Sequence, residues 1–445
     1  MTVQKESLDS SVVQKESLDS SRYSCALGGA YATIANIERA IPILHSGTGC
    51  GFAQTFGYAY AAGFQGVGTI GGCNTPSTNL SEKEVVFGGE NRLKEQIIAT
   101  LDIIDGGLFA VISGCIPSMI GDDVEAVIKD VKKENRRVPL ISIKAPGFSG
   151  NSYTGYELAL NALIDQFIRK TKTKKGLVNV LGIVPNQHIF WKGDIDEIKR
   201  IFERAGLKAN VLFGEGIEAV KKLSSAELTV VLSPWTGIEP AKKLKERFGI
   251  PYVVFPRVPV GPRDTTSFLH LVGTSLGLSA GVLTDAIRKE EKAAYRQLDI
   301  AYDILLFKFP SLPFAVVADS SYALGITRFL TEEVGQIPVL VIITDNPPNE
   351  YRDVILGDLS KLSSTSPKVI FEADSYNIEN ILKRENFAIL LGSSMEKYLA
   401  LDMKAVYLSV SFPAFDRLIL NSSYAGYKGG TALIEDIVNL VSGPI

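Results

Sequence analysis

The chain has 445 residues, too many for one hydrophobic core, so two or three domains are expected. With 46% apolar and 21% charged residues and a net charge of -3 it has the make-up of a soluble globular protein, and the missing basic surplus argues against nucleic acid as a partner. No apolar run approaches the ~20 residues of a membrane helix, and the N-terminus lacks a charged-then-apolar leader, so a cytoplasmic location is expected.

The first feature along the chain is a polar repeat: Val3 to Ser11 recurs identically as Val13 to Ser21. It is too short and too polar for a solenoid unit, and residues 1–21 read as a mobile tail outside the fold. From Arg22 onward, short β-branched apolar runs alternate with amphipathic stretches, the pattern of parallel sheets covered by helices. The first unit (22–172) predicts a helix over Asn91 to Asp102, a strand over Phe109 to Ser113, a helix over Asp122 to Lys133 and a strand over Leu140 to Ile143. A helix from about Gly155 to Lys170 follows the glycine-rich loop Ala145 to Gly150.

The charged linker Arg169 to Lys175 marks a boundary. A second unit (173–310) should hold strands at Val178 to Val184, Asn210 to Phe213, Leu228 to Leu232 and Tyr252 to Phe255. Its helices fall at Asp194 to Ala205, Gly216 to Leu223 and Glu239 to Phe248, and two long bridging helices follow, one after Arg263 and one through Leu283 to Leu306. The third unit (311–445) predicts strands at Phe314 to Ala318, Val339 to Ile343, Lys368 to Phe371, Ala388 to Leu391 and Ala405 to Leu408, with a helix from Tyr322 to Val334. The expected architecture is three successive doubly wound, Rossmann-like α/β domains with parallel sheets.

Three cysteines, Cys25, Cys50 and Cys115, each lie in a short apolar or glycine-rich stretch ahead of a helix start. Their spacings of 25 and 65 residues contain no Cys-x-x-Cys knuckle, which argues against a zinc ribbon. Thiolates delivered from loop ends suit an iron–sulfur cluster; the alternative is three small buried hydrophobes. The company they keep favours ligation. Cys50 closes His45-Ser46-Gly47-Thr48-Gly49-Cys50-Gly51, where glycines such as Gly49 let backbone amides converge on an anion or on cluster sulfides. Cys115 ends an apolar strand at the turn glycine Gly114, loops at strand ends are where α/β proteins place chemistry, and backbone amides near Gly49 and Gly114 are expected to bind and tune a cluster.

Other motifs carry less. Gly66-Val67-Gly68-Thr69-Ile70-Gly71 fits a dinucleotide string but runs on into Cys73-Asn74-Thr75-Pro76 with no helix opening. There is no phosphate-cradling G-x-x-x-x-G-K-[ST], so any ATP chemistry belongs to a partner. His45, His188 and His270 form no metal pair and read as hydrogen-bonding residues, with His45 close enough to Cys50 to stand behind it. Asp122 and Asp123, after Gly121, read as caps of the helix that follows. Cys73 is a further ligand, a redox thiol or a buried side chain.

Several segments, in order, resemble a subunit of the nitrogenase component 1 family: Cys25-Ala26-Leu27-Gly28-Gly29-Ala30, His45 to Cys50, Val86-Phe87-Gly88-Gly89, Cys115 with Ile120-Gly121-Asp122-Asp123, Pro146-Gly147-Phe148-Ser149-Gly150, and Phe412-Pro413-Ala414-Phe415-Asp416-Arg417 with Gly426-Tyr427. The resemblance implies the same three-domain fold. It also implies that Cys25, Cys50 and Cys115 hold an eight-iron or four-iron iron–sulfur cluster at the boundary with a homologous alpha-type subunit, in an α2β2 heterotetramer served by an ATP-dependent iron protein. The Cys50 to Gly89 stretch and Cys115-Ile116-Pro117 are similar to the alpha chain, the latter also to the cofactor-assembly scaffold; the C-terminal segment is similar to the beta chain. An alpha chain needs a cysteine in its middle domain and a histidine near its end for the active-site metallocofactor, but this chain has no cysteine after Cys115 and no histidine after His270. The family's beta-chain serine that can ligate the oxidised eight-iron cluster corresponds here to Gly147, so serine ligation is not expected. The resulting expectation is a beta-type, electron-relaying subunit without the site of substrate reduction. A maturation scaffold and a metal-free ligand-binding protein are the alternatives.

Overall fold

The computed structural model describes residues 22–65, 75–134, 138–308, 310–362 and 365–441. The tail 1–21, the Gly66–Gly71 string and Cys73 lie outside the described residues. Three parallel sheets follow one another along the chain. The first has strand order β1 (Ala40–His45), β2 (Leu108–Ser113), β3 (Leu140–Lys144). Every residue of β2 is buried, which is why Leu-Phe-Ala-Val-Ile-Ser reads as an unbroken apolar run and not as an alternating one. Around this sheet lie α1 (Ala26–Ala35), α2 (Thr48–Ala61), α3 (Glu82–Phe87), α4 (Glu90–Ile103), α5 (Cys115–Ile120), α6 (Val124–Lys133) and α7 (Ser152–Ala162).

The second sheet contains β4 (Leu177–Leu181), β5 (Lys208–Asn210), β6 (Leu228–Val231) and β7 (Tyr252–Val254) in the order β5-β4-β6-β7. Its helices are α8 (Trp191–Arg204), α9 (Gly216–Lys222) and α10 (Ile238–Phe248). The long α11 (Gly261–Ser275) and α12 (Ala280–Lys308) lead to the third sheet. That sheet orders β10 (Lys368–Phe371), β9 (Ile337–Ile343), β8 (Pro313–Ala318), β11 (Ile389–Gly392) and β12 (Val406–Ser409). Its helices are α13 (Ser320–Glu332), α14 (Asn349–Leu359), α15 (Ser375–Leu382) and α16 (Lys397–Asp402), and α17 (Gly426–Val441) turns back to pack on α11 and α12. The strand order reverses at β4 and at β8, so both sheets are doubly wound, the class expected from the alternating pattern.

Two local expectations change. The strand expected over Asn210 to Phe213 pairs instead over Lys208–Asn210, because the Asn210 side chain is tied to Asn179 Oδ1 and Ala219 O and ends the ladder, leaving Val211 to Phe213 as buried apolar connection. The helix expected from Gly155 starts earlier, at Ser152, since Asn151 Oδ1 accepts from the Tyr153 and Thr154 amides and caps it. One hydrophobic core runs through all three sheets. The N-terminal strap adds to it: Arg22 is ion-paired with Glu396, and Tyr23 OH meets Thr344 Oγ1 at 2.7 Å, so the residues just before Cys25 are anchored on the third sheet.

Candidate metal centre

Each of the three cysteines stands at a helix start, where free amides and the helix dipole favour nearby negative charge. Cys25 is the N-cap of α1; its carbonyl accepts the Gly29 amide at 3.1 Å, and the Ala26 amide donates to Gly150 O at 2.9 Å, tying Cys25 to the loop after β3. The close crossing of α1 and α7 holds it there. A Cβ on Gly29 would stand 2.0 Å from Ser152 O, and one on Gly155 would stand 2.1 Å from Ala26 O, so only glycine admits this approach.

Cys50 lies in the first turn of α2 and Cys115 opens α5 straight after β2. Their two segments touch: the place of a Gly47 Cβ is 3.0 Å from Ile116 Cδ1, and Gly114 N donates to His45 O at 2.9 Å. From the neighbouring strand, Ala145 N donates to Ser113 O at 3.0 Å, which sets the Pro146–Gly150 turn beside Cys115. There the Gly147 amide donates to Cys115 Sγ at 3.0 Å. A Cβ on Gly147 would lie 3.1 Å from Cys115 Sγ and 3.3 Å from Cys25 Sγ, so both sulfurs face the same spot. Burial pushes the Cys50 thiol up, the Ser46 hydroxyl opposes this, and nearby Cys25 and Cys115 push the same way as burial. All three thiols are free and half-exposed.

Among the described residues no three His, Cys, Asp or Glu side chains are placed to hold a single metal ion. A spread trio of thiols does not make the closed tetrahedral shell of a structural zinc site, whereas the irons of a cluster keep their thiolates apart. The donor set, the half-exposure and the space left by Gly147 fit such a cluster.

Sequence expectations for the surrounding residues are partly revised. The Gly114 amide is spent on His45 O, and Leu27 Cδ1 would lie 2.7 Å from a Gly114 Cβ, so Gly114 permits close packing and is not available to sulfur. Gly49 is exposed with open space around it. A backbone donor that does reach sulfur is Gly147, toward Cys115, and Gly47 plays the same part toward Cys50, roles with no side-chain signature in the sequence. Asp123 caps α6, accepting from Ala126 N at 2.9 Å, but Asp122 does not. Because Gly121 takes a left-handed turn (φ 82°), Asp122 points to the start of α4, accepting from Gly89 N at 3.0 Å and meeting His45 Nε2 at 3.0 Å. His45 is buried, with Nδ1 at 3.2 Å from Thr78 Oγ1. Both its ring nitrogens are thus taken, and it braces the strand leading to Cys50. His188 is buried against Tyr153 of α7, and His270 is exposed on α11.

The rim of this site is apolar and uncovered. Phe87 on α3 is 82% exposed, Met119 on α5 is 77% exposed and Phe148, next to Gly147, is 69% exposed. The helices that carry Phe87 and Met119 pack on each other, and exposed large apolar side chains grouped in this way mark a surface made for contact.

A family model described as nitrogenase component 1 type oxidoreductase matches residues 25–442. The chain belongs to that family. Within it, the chain is 29% identical to the nitrogenase vanadium-iron protein beta chain of Trichormus variabilis, with 94% of this chain and 92% of the relative covered. It is 25% identical to the nitrogenase iron-iron protein beta chain of Rhodobacter capsulatus, covering 94% and 92%. It is also 25% identical to the nitrogenase iron-molybdenum cofactor biosynthesis protein NifE of Methanococcus maripaludis, covering 93% and 82%. The solved structure "Nitrogenase Cp1 at pH 6.5" superposes with a TM-score of 0.81 over 97% of this chain and 95% of that one at 20% identity, which shows the shared fold. Among the described residues of this nitrogenase component 1 type chain, no helix is long and apolar enough to cross a membrane.

Proposed function

We propose that this chain is the beta-type, electron-relaying subunit of a nitrogenase or nitrogenase-like reductase. On this reading Cys25, Cys50 and Cys115 hold an iron–sulfur cluster, eight-iron or four-iron, shared with a homologous alpha-type subunit in an α2β2 assembly, and an ATP-dependent iron protein is the electron donor. The observation that carries it is that the Cys25 and Cys115 sulfurs face one spot beside Gly147, with the partly buried Cys50 thiol near enough to feel both, on a face with exposed apolar side chains. A cluster bound there supplies one-electron transfer. The chain's own residues then have definite tasks. Gly147 N–H donates to the Cys115 sulfur, which favours added negative charge on it, and Ser46 does the same beside Cys50. Phe87, Met119 and Phe148 exclude water once a partner covers them. No residue here is assigned to substrate reduction.

The similarity to NifE favours a second reading, a scaffold subunit for assembly of the metallocofactor. Anaerobic purification with co-purifying partners, followed by iron and sulfide quantification and electron paramagnetic resonance, tests both. The relay reading expects a stably bound cluster and a partner that carries a mid-chain cysteine and a C-terminal histidine. A cluster that leaves on incubation with an acceptor protein supports the scaffold. Absence of iron and sulfide, or unchanged cluster content in Cys115→Ser, overturns the ligand assignment.

A further inference from the structure

The carboxyl ends of β4, β6, β8 and β9 turn toward one buried polar junction on the far side of Cys25. Asp319 and Ser320 follow β8, Thr344 and Asp345 follow β9, Trp235 comes from the loop after β6 and His188 from the loop after β4. Tyr153 of α7 packs against them, its ring 6.0 Å from that of His188 and 5.9 Å from that of Trp235. Asp319 and Asp345 are 2% and 1% exposed.

The two carboxyl groups are used differently. Asp319 Oδ1 accepts the Ser321 and Tyr322 amides at 3.0 and 3.2 Å, capping α13, and meets His188 Nε2 at 3.3 Å. Asp345 is lopsided. Its Oδ2 accepts from Trp235 Nε1 at 2.8 Å and Ser320 Oγ at 2.6 Å, while its Oδ1 has no hydrogen-bond partner among the described residues. A buried carboxylate with one oxygen unmatched is an uncompensated charge, which costs far more than a neutral acid whose single hydroxyl lacks an acceptor, so this setting favours the protonated form. Counter-charge is also short. His188 Nε2 lies 3.3 Å from Asp319 Oδ1 without a hydrogen bond among the described residues, and its Nδ1 accepts the Val184 amide; Arg22 is paired with Glu396, and the other groups facing the junction, Tyr23, Tyr153, Tyr322 and Asp194, bring no positive charge.

We propose that this junction is a proton site, in which Asp345 is held as a neutral carboxylic acid with its proton on Oδ1 beside the Asp319–His188 pair. Burial first, then the charge of Asp319, raises its carboxyl to about 6, against the Ser320 and Trp235 hydrogen bonds. The folded chain therefore binds this proton more tightly than the unfolded chain. That stabilisation is present in acid and lost as pH rises through about 6. The site also reaches the cysteines from behind: Asp345 O accepts Asn151 Nδ2 at 2.8 Å, and Asn151 forms an antiparallel bridge with Cys25. Thr344 holds Tyr23. Charging Asp345 thus loads the element that seats Cys25, whatever the cysteines bind.

Infrared difference spectra of the full chain across a pH series test this. Protonated-carboxyl carbonyl absorption should persist well above the pH at which solvent-exposed aspartates lose theirs, and Asp345→Asn should remove one component of it, leaving those of the other buried carboxyls, Asp194, Glu157 and Glu333. Asp345 contributes a loss of thermal stability as pH rises through about 6, and Asp345→Asn, which keeps a neutral group of the same shape, should remove that contribution from the stability–pH profile while leaving those of Asp194, Glu157 and Glu333, which burial also raises. Should the variant not fold, Asp319→Asn supplies the second arm: it removes the neighbouring charge, and the Asp345 component should titrate at lower pH. Wild-type absorption that vanishes together with that of solvent-exposed carboxyls, a component unmoved by either substitution, or a stoichiometric metal ion in the purified chain that is lost in Asp345→Asn would each overturn the proposal.

Discussion

Gly147 offers no side chain, and that absence is what lets Cys25 and Cys115 face the same volume. Gly147→Ala puts a methyl 3.1 and 3.3 Å from the two sulfurs. The sulfurs must give by a few tenths of an ångström, so stability should change by no more than about 1 kcal/mol, while iron retained per chain falls; iron assay beside chemical denaturation separates the two effects. Asp122 is different in kind. It satisfies both His45 Nε2 and the Gly89 amide, and Asp122→Ala strands both in a buried setting. A loss of about 2–3 kcal/mol in denaturant unfolding is expected. Burial pulls the His45 imidazole below its ordinary value of 6.5 despite Asp122, so the fold resists protonating it. Its contribution is present above 6.5 and lost as pH falls, opposite in sign to that of Asp345, and His45→Gln should remove it.

At the scale of elements, the site depends on one helix crossing and on three strand ends. The crossing of α1 and α7 is as close as it is because Gly29 and Gly155 lie in it, each with the other helix's backbone about where a Cβ would be. Gly155→Ala must push the helices apart, at a cost of roughly 1–3 kcal/mol or more. The displacement falls on Cys25, the N-cap of α1, so iron content should drop further than in Gly147→Ala while the other two cysteine segments stay seated. Cysteine-directed alkylation of the iron-free chain, mapped by mass spectrometry, should show Cys25 labelling faster and Cys50 and Cys115 unchanged. Equal acceleration at all three would mean a general loosening and not a local one.

For the whole molecule, the continuous core and the Arg22–Glu396 strap join the three sheets, so the cysteine face is a rigid platform. Its exposed rim of Phe87, Met119 and Phe148 contributes little to the isolated chain's stability. The paired substitution Phe87→Ser and Phe148→Ser should therefore leave the melting temperature nearly unchanged and strip the homologous subunit during anaerobic co-purification. Retention of the partner at wild-type yield would place the interface elsewhere.

The class of fold was legible from the chain alone because parallel sheets buried on both faces leave unbroken apolar runs such as Leu108–Ser113 and Pro313–Ala318, and because α8 and α10 carry an apolar stripe at helical period. The cysteines stood out by residue type and by their glycine-rich neighbours, since soft-metal chemistry is written in side chains. What folding alone decided is what backbone and distance decide. That Gly147 and not Gly114 turns its amide to sulfur, that Asp122 serves α4 and His45 while Asp123 caps α6, and that Asp319, Asp345 and His188 share one buried junction all depend on contacts between residues far apart in the chain. Local pattern reports periodicity and propensity over a few turns, whereas a hydrogen bond between distant segments exists only once the sheets have packed and water has been excluded.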